Sequence, residues 1–196
     1  MPKINEIKKT MKKQGIPAEI LARFDFPKPG GWQPGEVISV INQMDALLSR
    51  EQCLAVMEEQ GCCKDEKVTA PFTAFGLKYA DKTVDEKINL FGEIKSGHKP
   101  PCHLNPDGTL SVYWDGWDRE KERCVCHVIK RLYKEQGEPV KVSKTFCGCC
   151  AGHVRNTFQC ALGVDLRLKD IVSSPINSNG KDRCEFLFEV IGRGAV

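Results

Sequence analysis

The hydrophobic period of the chain changes near Gly97, and this change constrains the fold more than any other feature. Before Gly97, apolar residues recur three or four positions apart, which is the period of an amphipathic helix. After it, apolar and polar residues alternate over 110–114 and 184–190, which is typical of half-buried strands. We therefore predict an α+β protein, with a helical portion at 1–97 and a cysteine-rich α+β portion at 98–196. A length of 196 residues allows both portions to form one compact unit.

Two capping boxes mark helix starts in the first portion. Ser49 is followed three residues later by Gln52, and Thr83 by Glu86, so each pair can satisfy unpaired backbone N–H groups. The vicinal pair Cys62-Cys63 follows a helix stop and is interpreted as a packed helix end. Predicted helices cover residues 4–11, 18–24, 35–48, 50–60, 66–80 and 84–95, with the last ending at Ser96-Gly97.

The second portion predicts the order strand, strand, helix, strand, strand, and hence a four-stranded antiparallel sheet on which the helical half packs. A turn at 105–108 precedes the first strand, and residues 123–129 read as its returning partner, with Cys124 and Cys126 on one face. The helix begins at Phe146 or Cys147 and stops at Gly163. Two strands follow at 164–172 and 184–190, the first with a bulge near Asp170-Ile171.

Residues 145–153 hold three thiols and an imidazole, a density that no other stretch of the chain matches. Cys149 and His153 are four residues apart and share one stripe of the predicted helix. Cys147 and Cys150 form a C-x-x-C close to the helix start, where the positive end of the helix dipole lowers thiol pKa values. Because thiolates are both nucleophiles and metal ligands, the segment predicts a functional site.

A metal site is the first hypothesis for these residues. Zinc takes four Cys or His ligands, often as two close pairs, and an iron–sulfur cluster held by four thiolates is the alternative. His127 or the Cys102-His103 pair are substitute ligands. The predicted metal ligands are Cys124, Cys126, Cys147, Cys150 and His153.

Two further hypotheses stay open. In the first, Cys149 is a catalytic nucleophile activated by His153, although the sequence shows no third residue that would orient the base. In the second, the protein is a ligand sensor whose thiols are inert and buried, with Trp114 and nearby phenylalanines as pocket walls.

Charge and hydropathy exclude several classes of function. The 29 basic and 26 acidic residues are interspersed, which argues against a nucleic-acid or anionic-membrane surface. Charges occupy the position where a signal peptide has its apolar core, and no apolar run is long enough to span a bilayer. We therefore expect a cytoplasmic protein. Its eleven cysteines are then not a disulfide framework.

The element order and the carboxy-terminal pattern resemble the superfamily of 4-vinyl-reductase-like domains and aminothiazoline-carboxylate hydrolase-like proteins, over about residues 100–191. The resemblance lies in the helix 147–162 with Gly163, the strand 164–172, and the segment 179–188, where Cys184 follows Gly180. It implies a helical bundle beside a small antiparallel sheet, a small-molecule pocket between them, and cysteines that bind zinc or sense redox state. It also implies Cys147, Cys150 and Cys184 as pocket or metal residues.

The hydrolase branch of the resemblance implies ring opening of a small acid that contains sulfur and nitrogen. Taken together, the sequence predicts a cytoplasmic protein that binds a metal, zinc first, or a small molecule in a cysteine-rich pocket. If the protein forms an oligomer, we expect a homodimer.

Overall fold

The computed structural model describes residues 3–27, 33–61, 65–94, 101–114, 117–118, 120, 123–137 and 140–192. The amphipathic periods of the first half form helices, as predicted, and Ile7, Val40 and Met57 are among their fully buried apolar side chains. The predicted end of the sixth helix at Ser96-Gly97 and the Cys62-Cys63 pair lie outside the described residues. The helices before Gly97 are α1 (Ile4–Lys13), α2 (Ala18–Leu21), α3 (Pro34–Leu47), α4 (Arg50–Glu58), α5 (Glu66–Lys78) and α6 (Val84–Asn89), with a 3-10 turn at Phe91–Glu93.

Both predicted capping boxes are present. The Ser49 hydroxyl accepts the Gln52 N–H at 3.2 Å, and the Gln52 side-chain oxygen accepts the Ser49 N–H at 2.9 Å. At α6, the Thr83 hydroxyl accepts the Glu86 N–H at 3.3 Å, and the Glu86 carboxylate accepts the Thr83 N–H at 2.8 Å. Each box satisfies two backbone donors, a contribution of about 1 kcal/mol at such helix starts.

The α+β prediction with a four-stranded antiparallel sheet is confirmed, but the membership of the sheet differs from the prediction. The four strands pair in the order β1, β2, β6, β5, so the two long carboxy-terminal strands are neighbours. The predicted bulge is present as a register shift between Leu168 and Asp170. The strands are β1 (Cys102–Leu104), β2 (Leu110–Trp114), β3 (Trp117–Asp118), β4 (Arg123–Cys124), β5 (Asp165–Ser173) and β6 (Cys184–Gly192).

The predicted strand at 123–129 is wrong beyond Cys124. Strands β3 and β4 form a separate two-stranded ladder, and the chain then enters helix α7 (His127–Gln136). Val128 and Ile129 are both fully buried although they are consecutive, which the two-faced geometry of a half-buried strand does not allow. Cys124 and Cys126 therefore do not share one face of a strand. Cys126 instead occupies the N-cap position of α7.

Helix α8 (Gly148–Leu162) is the long helix that the sequence predicts, and it lies between the helical half and the sheet. A 3-10 turn at Lys144–Cys147 precedes it, and Gly163 ends it in the left-handed conformation at φ +67°. On its sheet side, Val154 and Phe158 are buried against Phe186 of β6. On its other sides it contacts α4 and α5.

Glycines bring α4 and α8 into close contact. A Cβ at Gly148 would stand 2.6 Å from the Cβ of Met57, and one at Gly152 would overlap the backbone oxygen of Glu58. Likewise, a Cβ at Gly61 would stand 2.6 Å from the backbone carbonyl carbon of Gly152. Because these positions have no side chain, the backbones can approach closely enough to hold the cysteine-rich end of α8 against α4.

Within the described part of the chain, no helix combines the length and the hydropathy needed to cross a bilayer.

Candidate functional site

The turn before α8 is tied to the helical half by a chain of polar contacts. The Ser143 hydroxyl accepts the Thr145 N–H at 3.1 Å, which starts the turn. The fully buried Thr145 hydroxyl donates to the Asp45 carboxylate of α3 at 2.6 Å. These bonds fix the position at which Cys147 and the first turn of α8 begin.

Two sulfur atoms meet where α7 and α8 start. Cys126, at the N-cap of α7, shares a hydrogen bond with the thiol of Cys150 on the first turn of α8. Both residues are partly exposed at the protein surface. Two thiols at the starts of separate helices are thus in direct contact.

This contact separates the pKa values of the two thiols. The Cys150 thiol has the largest effect, and together with the backbone N–H groups of Val128 and Ile129 it lowers the pKa of Cys126 from 9.0 to about 6, although burial opposes the change. The hydrogen bond to Cys126, with burial second, raises the pKa of Cys150 well above its usual value. The shared hydrogen bond therefore favours a charged Cys126 and a protonated Cys150 that donates to it.

Three more thiols surround this pair. The Cys124 sulfur accepts the N–H of Cys126 at 3.4 Å, and burial raises the pKa of Cys124 to about 12. Burial also raises the pKa of Cys147 to about 12, with a smaller opposing effect of the Ser174 side chain and further increases from Cys124, Cys126 and Cys149. The structure therefore brings the predicted residues Cys124, Cys126, Cys147, Cys149 and Cys150 together.

Cys149 and His153 each have contacts of their own. The Cys149 thiol is buried and lies 3.3 Å from the backbone oxygen of Gln60, to which it donates. The imidazole of His153 packs edge-on against Trp114, with ring centroids 5.0 Å apart. Catalysis by Cys149 with His153 as its base stays a prediction.

Three further sequence candidates lie on the sheet, whereas His127 is the first residue of α7. Cys102 is on β1, and burial raises its pKa to about 12. His103 follows it and stacks on Tyr113 with ring centroids 5.7 Å apart. Cys184 is buried at the start of β6, opposite Trp114 in the strand register.

Across the described residues, no three or more Cys, His, Asp or Glu side chains are arranged as a metal site. The thiols are grouped, but their sulfur atoms do not converge on one point as the four ligands of zinc would. The predicted zinc ligands Cys124, Cys126, Cys147, Cys150 and His153, and the alternative iron–sulfur cluster, stay predictions.

Sequence analysis did not single out Cys126 as the activated thiol. The pattern that could have revealed it is the helical spacing of Val128, Ile129 and Leu132, which are all buried. This spacing indicates a helix whose N-cap is Cys126. Because the cysteines alternate with other residues over 123–129, the same segment also fits the period of a strand, and a strand was predicted.

Comparison with known proteins yields little. No family model matches the chain, and no curated protein matches it. A solved H-NOX domain from Shewanella oneidensis aligns over 97% of this chain and 99% of its own, with 10% identity and a TM-score of 0.30. A TM-score this low does not indicate a shared fold. The resemblance to 4-vinyl-reductase-like and aminothiazoline-carboxylate hydrolase-like proteins stays a prediction.

Proposed function

We propose that this protein acts through a reactive dithiol in which Cys126 is the nucleophilic thiolate and Cys150 is its partner. The observation that supports this proposal is the contact of the two sulfurs at the starts of α7 and α8. A thiolate at neutral pH beside a second thiol is the arrangement of dithiol oxidoreductases and redox-sensitive proteins. The substrate class is a small disulfide, and the partly exposed residue Cys126 is its point of attack.

The reaction proceeds in two exchange steps. The Cys126 thiolate attacks one sulfur of the small disulfide, whose S–S bond breaks, and the departing thiolate takes a proton from solvent. Cys150 then loses its proton and attacks the Cys126 sulfur of the mixed disulfide, releasing the second small thiol. The products are an intramolecular Cys126–Cys150 disulfide and two small thiols, so two electrons have passed to the small disulfide.

The structure supplies a reason for the second step. The hydrogen bond to Cys126 is the main cause that raises the pKa of Cys150. Once Cys126 is bonded to the substrate, its sulfur no longer has a negative charge that stabilises the Cys150 proton. Cys150 therefore becomes easier to deprotonate when its attack is needed. Cys147, the other half of the C-x-x-C, is a poorer partner because it is buried with a pKa of about 12.

Reaction of the fully reduced protein with oxidised glutathione tests this function. Peptide mapping should find a Cys126–Cys150 disulfide in the wild-type protein. In Cys150→Ser the reaction should stop at a mixed disulfide on Cys126, whereas Cys160→Ser, a change of another partly exposed thiol on α8, should behave as wild type. A wild-type protein that stays reduced, or that is modified first at another cysteine, would contradict the proposal.

Zinc binding is the second candidate function, favoured by the electrostatic influence of Cys124, Cys126 and Cys149 on Cys147. Thiolates are good zinc ligands, and Cys126 is already one at neutral pH. Elemental analysis of protein purified without oxygen or chelator tests it. Near-stoichiometric zinc that Cys126→Ser abolishes would support this candidate, iron with acid-labile sulfide would support a cluster, and metal-free protein would leave the dithiol.

A further inference from the structure

A second concave region lies at the carboxyl end of α8, the end opposite to Cys150. It is a cavity of about 570 Å³ between α5, the start of α6, the turn after α8 and the end of β6. This volume is within the roughly 300–1,000 Å³ of small-molecule sites. Most of its wall is apolar, and its larger aliphatic residues are Leu77, Val84, Leu162, Val164 and Val190.

Both lysines that line this cavity have partners within the fold. Lys87 is only 5% exposed, donates from Nζ to the backbone oxygen of Leu162 at 2.7 Å, and has a further interaction besides this bond. Lys82 lies nearer the solvent, with its Nζ 3.9 Å from the Asp81 and Glu86 carboxylates. Among the described residues that line the cavity there is no Asp or Glu. The wall therefore has no carboxylate for a cationic ligand, and its ammonium groups are already engaged.

The hydroxyl group in the described part of the wall is engaged as well. Thr83 caps α6, accepts the Glu86 N–H at 3.3 Å and donates to the Glu86 carboxylate at 3.0 Å. The charged and hydroxyl side chains of the wall thus serve the fold itself, and the surface left for a ligand is hydrocarbon.

Part of this hydrocarbon surface is open to water. Leu77 lines the cavity and is 57% exposed, more than any other large hydrophobic residue in the described part of the chain. Covering such a surface with an apolar group is favourable, because it removes hydrocarbon from water. A stable protein interface buries about 800 Å² on each partner, far more than one leucine provides, so a small molecule fits this cavity better than a protein does.

We propose that this cavity binds a small uncharged molecule rich in hydrocarbon, which lies against Leu77, Val84 and Val190. An ionised ligand would lose its hydration here without gaining a free partner of opposite charge, since the lysines of the wall are engaged. An uncharged ligand does not have this cost and gains from the burial of its apolar surface. This binding is independent of the Cys126–Cys150 pair, so either function can fail without the other.

Titration with three probes of one shape, followed by NMR of the side-chain methyl groups, tests the charge requirement. Phenylethanol, phenylacetate and phenethylamine present the same ring with a neutral, negative or positive end. We expect phenylethanol to bind at least roughly tenfold more tightly than either ion, because an ion that leaves water without a partner is destabilised. The methyl signals of Leu77, Val84 and Val190 should shift, while those of Val40, which lies in the other core, stay unchanged. Equal affinities, tighter binding of either ion, or no detectable binding of phenylethanol would overturn the proposal.

Two variants locate the binding, and both change exposed residues, so that the fold is kept. Leu77→Ala should weaken phenylethanol binding several-fold, whereas Val68→Ala, the matched change of an exposed residue of α5 that does not line the cavity, should leave it unchanged. Ala80→Leu fills the cavity from its solvent side and should also weaken binding. Unchanged binding in both Leu77→Ala and Ala80→Leu would overturn the assignment to this cavity. Methyl shifts that follow the protein concentration instead of phenylethanol would mean that a second copy covers the cavity, and would overturn it as well.

Discussion

Replacing Cys150 with alanine tests whether the contact of two sulfurs sets the reactivity of Cys126. The Cys150 thiol is the largest cause of the lowered pKa of Cys126, which is about 6 where an ordinary thiol has 9.0. Without it, burial raises this pKa while the N–H groups of Val128 and Ile129 lower it. We expect the pKa to move towards 9.0. At neutral pH the thiolate fraction would then fall from about 90% to as little as roughly 1%.

The alkylation rate at neutral pH changes much less than the thiolate fraction. A thiolate of higher pKa is intrinsically more nucleophilic, with a Brønsted coefficient of about 0.4–0.5. A rise of about three pH units in the midpoint therefore increases the reactivity of each thiolate by roughly twentyfold. This gain offsets most of the loss, and the net rate falls only several-fold. The midpoint of the pH profile, and not a single rate, is the quantity to measure.

The assay is iodoacetamide labelling as a function of pH, read by mass spectrometry of the tryptic peptide 124–130. This peptide also contains Cys124, which stays unlabelled because its pKa is about 12. The wild-type midpoint should lie near pH 6 and the Cys150→Ala midpoint well above it, while Cys160→Ala leaves it unchanged. The reasoning is refuted if wild-type labelling still rises steeply around pH 9.0, or if Cys150→Ala does not move the midpoint.

Three further predictions concern stability. Gly152→Ala places a Cβ against the backbone oxygen of Glu58, so α4 and α8 must separate. In urea denaturation, the free energy of unfolding should fall by roughly 1–3 kcal/mol or more. The control Gly35→Ala, which has open space around it, should be neutral or stabilising. Ser49→Ala removes the cap of α4 and should cost about 1 kcal/mol in the same assay; no change would mean that water replaces the hydroxyl. The lowered pKa of Cys126 stabilises the native protein above the ordinary thiol pKa, and this contribution is lost as pH falls through about 6. In reducing buffer, thermal stability should therefore rise from pH 6 to 9.0 more steeply in the wild type than in Cys126→Ser, and parallel curves would contradict this.

Much of the candidate site was predictable as a set of residues but not as a set of contacts. The clustered thiols of 145–153 mark α8 as the central element, and all five grouped cysteines were among the predicted candidates. The prediction paired Cys149 with His153 because they share a helical stripe. That pairing stays a prediction. The structure brings the sulfur of Cys126 to Cys150, and this contact depends on how the start of α7 lies beside α8.

The sequence by itself determined where the helices of the first half lie, the end of α8 at Gly163, the bulge in β5 and the α+β class, but not the length of α2 and α6 or the 3-10 turn before α8. These features depend on neighbours within a few positions: a capping side chain three residues away, a glycine after the last helical turn, or an alternation within one strand. Only the tertiary structure decided the course of the chain after Cys124. A short run such as 125–129 fits either period, and the burial of Val128 and Ile129 in the same core as Val40 of α3 selects the helix. The same packing places Cys126 at a helix start beside a thiol that is distant in the sequence, and this contact lowers the pKa of Cys126.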